Sequence, residues 1–412
     1  MKRKLFRPIL VLVMILAVAV CGCLSGCGSN GAAEGASAQA EAGETVIFTD
    51  DCGREVEVPA NITTVIGSGN LAEIFLFAID PDAMMAVAGN WSDDAEGYID
   101  EKYLELPEVG SFFGNHDLNY EEIAKLHPQI IIDVGEAKPS MEADLNDITQ
   151  KTGIPAVHID AYYDTMDVAF EKLGVLLGRE VEGNELAAFC RDSYERASRV
   201  AEAAEESGVK KTLLYCTQED GQNVLAKGSY HAEIVDMLSD NLAVLDDPFS
   251  DGSGNEVNLE QMMVWNPEVI LFAPDGYFDY AADDPAWQML SAIQNGTYYE
   301  VPRGPYNWMG SPPSSNRVLG MLWMADLLYP ELVDYDLKEQ TIRYYQLFYH
   351  CDLAEEQYEE LVENSITKRD RLSEQNTDQS KEASYRAAFH VAMRYYVLLT
   401  VAACPDKRGR GV

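Results

Sequence analysis

From residue 45 onward, short apolar runs alternate with amphipathic stretches. Residues 45–59 alternate apolar and polar side chains around Asp50-Asp51-Cys52-Gly53, the pattern of a β-hairpin. Beyond it the periodicity predicts a strand over 64–66, a helix over 71–79, a strand over 85–88 and a helix over 121–126. A strand over 129–134, a helix over 140–152 and a strand over 156–159 follow. Alternation of this kind predicts a parallel sheet covered by helices. Residues 165–207 read as helical throughout, with apolar positions such as Val168, Leu173, Leu176, Leu177, Leu186, Phe189 and Val200, and with Gly178 and Gly183 as points of bending. A helix of that length suits a stiff connector. A second run repeats the rhythm: a strand over 212–216, helices over 231–238 and 259–265, a strand over 268–273, a helix over 286–293, a strand over 298–302 and a closing helix over 314–329. The expected fold class is α/β, with two α/β lobes containing parallel sheets (45–163 and 209–372) joined by one long connecting α-helix (164–208).

The two lobes share an internal echo. Asn119-Tyr120-Glu121-Glu122-Ile123-Ala124-Lys125-Leu126-His127-Pro128-Gln129-Ile130 returns as Asn258-Leu259-Glu260-Gln261-Met262-Met263-Val264-Trp265-Asn266-Pro267-Glu268-Val269. In each copy Asn is an N-cap candidate, Glu occupies the first turn, and proline ends the helix ahead of an apolar strand. Glu121 and Glu260 therefore occupy equivalent places. Acidic residues are common in first turns, so each is also explicable as a solvated glutamate.

The N-terminus changes the compartment. Lys2, Arg3, Lys4 and Arg7 precede the apolar stretch 9–20, which is too short for a comfortable membrane span and has the form of a secretory signal. Leu24-Ser25-Gly26-Cys27 resembles the bacterial lipobox, which implies cleavage after residue 26 and a lipid on Cys27. Residues 27–44, rich in Ala, Glu, Gly and Ser, have little to bury and read as a flexible tether. The chain is 47% hydrophobic with a net charge of −39, so it has material for a sizeable core and a surface unsuited to nucleic acid. Cys52, Cys190, Cys216, Cys351 and Cys404 show neither CxxC nor metal-ligand spacing.

Taken in order, Asp51-Cys52-Gly53-Arg54-Glu55-Val56-Glu57-Val58-Pro59, Leu71-Ala72-Glu73-Ile74, the two Asn-x-Glu...Pro segments and the helix from Ser314 to Pro330 resemble the ABC-transporter substrate-binding proteins for ferric siderophores, haem and cobalamin, a family with a molybdate/tungstate-binding branch. The resemblance spans roughly 45–335. It implies a ligand cleft between lobes that close only modestly, docking of Glu121 and Glu260 on arginines of an ABC permease, and delivery to that permease and its ATPase. The implied protein is a monomer held to the outer face of the cytoplasmic membrane by its N-terminal lipid.

Loops after the carboxyl ends of parallel strands are where such folds place ligands. Here they offer Asn70, Asn90-Trp91, Phe112, Phe113, Tyr162, Gln218, Tyr230, His231, Tyr277, Tyr306-Asn307-Trp308 and Arg317. Aromatic rings supply rigid area for a flat or bulky metal chelate, and each is equally explicable as packing. Trp91 and Trp308 match aromatic positions of the family's cobalamin-type clefts, but Gly254 stands where another aromatic is expected, against cobalamin. His231 is a candidate ligand for chelated iron. His116, His127, His158, His350 and His390 form no spaced set, which disfavours a bare zinc or manganese ion as cargo. The alternative cargo is an oxyanion such as molybdate, held by Gly67-Ser68-Gly69-Asn70 and Arg317. No resident cofactor is expected. No GxSxG, P-loop, HExxH or post-strand GxGxxG is present, so an enzyme is a remote reading, as is an anchored adhesin. From about residue 373 the chain leaves the family pattern, and 373–412 reads as an atypical tail: an extra surface helix or read-through of downstream coding sequence.

Overall fold

The opening alternation folds as an antiparallel hairpin, β1 (Thr45–Thr49) on β2 (Glu55–Pro59), in the register Thr45↔Pro59 to Thr49↔Glu55. Its turn closes through Gly53 at φ 77° and through the Asp50 carboxylate, which accepts from the Arg54 backbone N–H and guanidinium. This computed structural model describes residues 43–366, apart from Asn90, 113–117 and Asp251. The signal segment, Cys27, nearly all of the tether, Phe113, His116 and the tail 373–412 lie outside the described residues.

The first α/β run contains β3 (Val65–Gly67), α1 (Asn70–Ile79), α2 (Glu101–Leu104), α3 (Tyr120–Leu126), β4 (Ile130–Gly135), α4 (Met141–Thr152) and β5 (Ala156–Asp160). The three strands form a parallel sheet in the order β3-β4-β5. β4 is buried along its whole length, as its unbroken Ile-Ile-Ile requires of a central parallel strand. The strand expected over 85–88 is instead a pair of isolated bridges, Val65↔Met84 and Val87↔Glu108. The ladder stops because the Ala88 N–H is taken at 2.8 Å by the buried Glu73 carboxylate.

The helix expected over 165–207 is two helices, α5 (Met166–Leu177) and α6 (Glu180–Glu206). Gly178 adopts φ 64° and ends α5, and the Arg179 N–H returns to the Gly174 carbonyl at 2.7 Å. Gly183 does not bend the chain. A Cβ there would lie 2.9 Å from the Gly174 Cα, so the two glycines let α5 and α6 touch. α6 alone, 27 residues and roughly 40 Å long, carries the chain to the second sheet.

The second run contains β6 (Thr212–Thr217), β7 (Asn223–Val224), α7 (Glu233–Leu238), β8 (Asp240–Asn241), β9 (Asn255–Glu256), α8 (Leu259–Trp265), β10 (Val269–Phe272), α9 (Phe278–Ala281), α10 (Ser291–Asn295), β11 (Tyr298–Glu300) and α11 (Asn316–Leu328). The parallel strands β11, β10, β6 and β8 form its core, and the two-residue strands β7 and β9 add antiparallel pairs at one edge. The helix expected over 286–293 is a 3-10 turn (Trp287–Met289) and then α10. The extended Leu290 between them lets both Trp287 and Leu290 reach the core.

Two further helices, α12 (Leu337–Phe348) and α13 (Glu355–Leu361), were not foreseen. α12 buries Tyr344, Tyr345 and Phe348 and packs on α1, α6 and α11, so one hydrophobic core runs from the first sheet's helices to the second's. Among the described residues no helix is long and apolar enough to cross a membrane.

Candidate functional site

The echo seen in the sequence is a structural repeat. Asn119 Oδ1 accepts from the Glu122 N–H at 3.2 Å, and Asn258 Oδ1 accepts from the Gln261 N–H at 2.8 Å. Both helices end on a left-handed residue ahead of proline, His127 at φ 51° and Asn266 at φ 42°. The residue after each proline then clamps the start of the neighbouring strand. Gln129 Oε1 accepts from the Thr63 and Thr64 N–H groups at 2.7 and 3.1 Å, and Glu268 Oε2 accepts from the Thr212 N–H at 3.1 Å. The strands that follow, β4 and β10, are each flanked by a strand on both sides, and Glu121 and Glu260 are both exposed.

Between the two sheets lies a cleft of about 730 Å³. The first half contributes Asn70, Ser92 and Asp94. The second contributes Tyr215, Thr217, Gln218 and Glu219 from the end of β6, His231, Asp275 beyond β10, and Arg303, Tyr306 and Asn307 beyond β11. The strand-end rule therefore locates the cleft.

Asn307 fixes the wall formed by 303–312. Its carbonyl-side Oδ1 accepts from the Met309 N–H at 2.7 Å and the Gly310 N–H at 3.2 Å, while Nδ2 donates to the Tyr215 hydroxyl at 2.9 Å. Tyr306 and Trp308 are both buried in this wall, and of the two Tyr306 also borders the cleft. Arg303 is the single arginine or lysine among the described lining residues. Its Nε lies 2.6 Å from Asp94 Oδ2, and Nη1 pairs with Asp275.

Beneath the first-half loops runs a buried polar chain. His158, fully buried on β5, meets Asp133 Oδ2 through Nδ1 at 2.6 Å and Asp160 Oδ1 through Nε2 at 3.0 Å. Ser68 Oγ donates to the other Asp133 oxygen, which anchors the loop that presents Asn70. Burial alone would lower the His158 pKa; the hydrogen bonds and charges of Asp133 and then Asp160 outweigh it and hold it raised. Glu73, on the same α1 as Asn70, is pushed by burial up to about 7, with only the Ala88 N–H opposing. Its Oε1 is buried without a partner, and the same holds for the Tyr306 hydroxyl.

Of the residues singled out in the sequence, Asn70, Gln218, His231, Tyr306 and Asn307 line the cleft. The other described ones stand elsewhere. Trp91 is buried against Phe77 and Tyr306, its Nε1 donating to the Tyr103 carbonyl at 2.9 Å. Phe112 packs on the core beneath α3 and α4. Tyr162 and Tyr230 meet edge to face at 5.7 Å, and Tyr230 Oη donates to the Ala161 carbonyl at 2.8 Å. Tyr277 stacks on Trp287 and donates to Asp284 at 2.7 Å. Arg317 is 1% exposed, lies over the Tyr230 ring at 4.4 Å and donates through Nη1 to Glu233 at 2.7 Å, while its Nε and Nη2 are buried without a partner. Tyr215, Thr217, Asp94, Asp275 and Arg303 were missed. Arg303 follows the last predicted strand directly, and the rule that directs attention to strand ends was signal enough to find it.

No curated protein matches the sequence. The Periplasmic binding protein family matches residues 65–304. Among solved structures, an ABC transporter solute binding protein from Sulfurospirillum deleyianum is 25% identical with a TM-score of 0.71, over 77% of this chain and 99% of that one. The molybdate periplasmic binding protein MolA of Haemophilus influenzae, bound to molybdate, is 20% identical (TM-score 0.60; 75% and 99% covered). CeuE of Helicobacter pylori, in a Ni-His complex, is 18% identical (TM-score 0.55; 79% and 100% covered). The last two likenesses show the fold alone. With two α/β halves, matched helix ends and a cleft between the sheets, and with the family match covering more than half of its length, the chain belongs to the periplasmic binding protein family of ABC-transporter solute-binding proteins.

Proposed function

We propose that this protein captures a metal chelate of the ferric-siderophore, haem or cobalamin type outside the membrane and delivers it to an ABC permease and its ATPase. The observation that carries the reading is the character of the cleft. At about 730 Å³ it suits an organic chelate far better than a four-oxygen anion. Its rim sets Tyr215, Tyr306 and His231 beside three carboxylates, Asp94, Glu219 and Asp275, and its arginine is already engaged by two of them. An oxyanion would face that negative charge, and Arg317, the cation expected to hold it, is paired with Glu233. Among the described residues no three His, Cys, Asp or Glu side chains are placed to hold a metal ion. The cargo is therefore a metal that arrives already chelated, with His231 as the side chain suited to an open coordination position. Cys27 carries the lipid, 27–44 tether a monomeric binding domain, and Glu121 and Glu260 contact the permease.

The test is a thermal-shift panel of haem, cobalamin, ferric siderophores, nickel-histidine, molybdate and tungstate, with spectra of the protein as purified. One iron, cobalt or nickel chelate raises the Tm, and the shift falls by more than half in both His231→Ala and Tyr306→Ala. Stabilisation by molybdate or tungstate alone would replace the chelate reading with the oxyanion one.

A further inference from the structure

Neutral contacts join the two halves: Tyr230 Oη to the Ala161 carbonyl at 2.8 Å, Ser314 Oγ to the Leu71 carbonyl at 2.9 Å, and the ring pairs Trp91–Tyr306 at 6.2 Å and Tyr98–Tyr345 at 5.4 Å. At the cleft rim a charged contact, partly open to water, is added to them. Arg303 reaches Asp94 of the first half at 2.6 Å while holding Asp275 of its own half, with side-chain exposures of 32%, 36% and 75%. Ser92 donates to the Pro305 carbonyl beside them. All three charged residues line the cleft, so the pair stands where a ligand passes.

We propose that Asp94, Arg303 and Asp275 form an exchangeable latch across the cleft rim. Arg303 has two carboxylates to choose from, one on each half. Release of Asp94 leaves the guanidinium paired with Asp275, so opening strands no charge in the way that breaking a buried single pair does. The cost of opening is that of a partly exposed pair, small enough for thermal opening and sensitive to salt. The neutral contacts between the halves persist. That the latch governs ligand exchange rests on the reading of the cleft given above; the latch itself does not.

Hydrogen-exchange mass spectrometry on the ligand-free full chain tests it without a ligand, so its failure is distinct from failure of the chelate reading. Asp94→Asn and Arg303→Met raise exchange roughly threefold to fivefold in segments 92–99 and 303–311, as loss of one such pair predicts, and leave α11 unchanged. The charge-reversed pair Asp94→Arg/Arg303→Asp regains at least half of the lost protection. If a single variant is globally loosened, salt titration of the wild type decides: exchange rising with salt in those two segments alone supports the latch. Native-like exchange in both single variants, no recovery in the reversed pair, or a flat salt response would overturn it.

Discussion

Glu73 is a carboxyl side chain whose behaviour departs from what its identity suggests. A carboxyl ordinarily titrating near 4.5 is held up to about 7 by burial. As pH rises from about 4.5 the unfolded chain ionises freely while the folded one keeps its proton, so the contribution to stability falls until pH reaches about 7 and is flat beyond. The shift corresponds to about 3 kcal/mol. Glu73→Gln keeps an acceptor for the Ala88 N–H and removes the charge. Urea unfolding at about pH 5 and about pH 7.5 should show the wild type losing about 2 kcal/mol more than the variant between the two. Equal losses would remove Glu73 as the source. His158 also weakens the fold as pH rises, because its raised pKa stabilises below 6.5 and is lost as pH climbs through the folded value. That change is common to both proteins and cancels in the difference. Neither group stood out in the sequence. A glutamate at the fourth position of a helix and a histidine in an apolar strand look ordinary until the fold buries them.

At the scale of elements, the boundary between α5 and α6 shows how close two outcomes lie. Helical periodicity continues through Gly178, and a single glycine costs a helix only about 1 kcal/mol, so the sequence alone favours one rod. What breaks the rod is packing: α5 folds back on α6 where Gly174 and Gly183 meet. Gly183→Ala should gain roughly 1 kcal/mol in helix propensity. It should lose more, because the new Cβ lies 2.7 Å from the Phe170 carbonyl oxygen and 2.9 Å from the Gly174 Cα. A net destabilisation of about 1–3 kcal/mol is expected in denaturant unfolding. A stabilised variant would mean that the helices tolerate separation there. The short helices α3 and α8, by contrast, were legible almost residue for residue, because cap, helix and proline stop are local signals that tertiary contacts did not override.

At the scale of the molecule, the two halves present matched exposed glutamates at the starts of helices leading into interior strands of their sheets, while the cleft has its own separate residues. Under the docking proposed above, capture and docking are separable. Glu121→Arg and Glu260→Arg should leave ligand affinity within about twofold and reduce ligand-stimulated ATPase activity of the reconstituted importer at least tenfold when combined, since like charges set against an arginine surface cost several kcal/mol. Undiminished stimulation in the double variant would place docking elsewhere.

The sequence by itself determined the alternation of strands and helices, the hairpin, the repeat and the family, because each rests on local periodicity, capping or turn chemistry. It also marked the strand ends where the cleft forms. Tertiary structure alone decided which side chains face it. Tyr306 and Trp308 are both buried, yet of the two only Tyr306 also reaches the cleft; Arg317 pairs with Glu233 inside the protein, whereas Arg303 stands at the rim. Orientation of that kind depends on the packing of α11 and α12 from the far end of the chain, and no local pattern encodes a partner so distant in sequence.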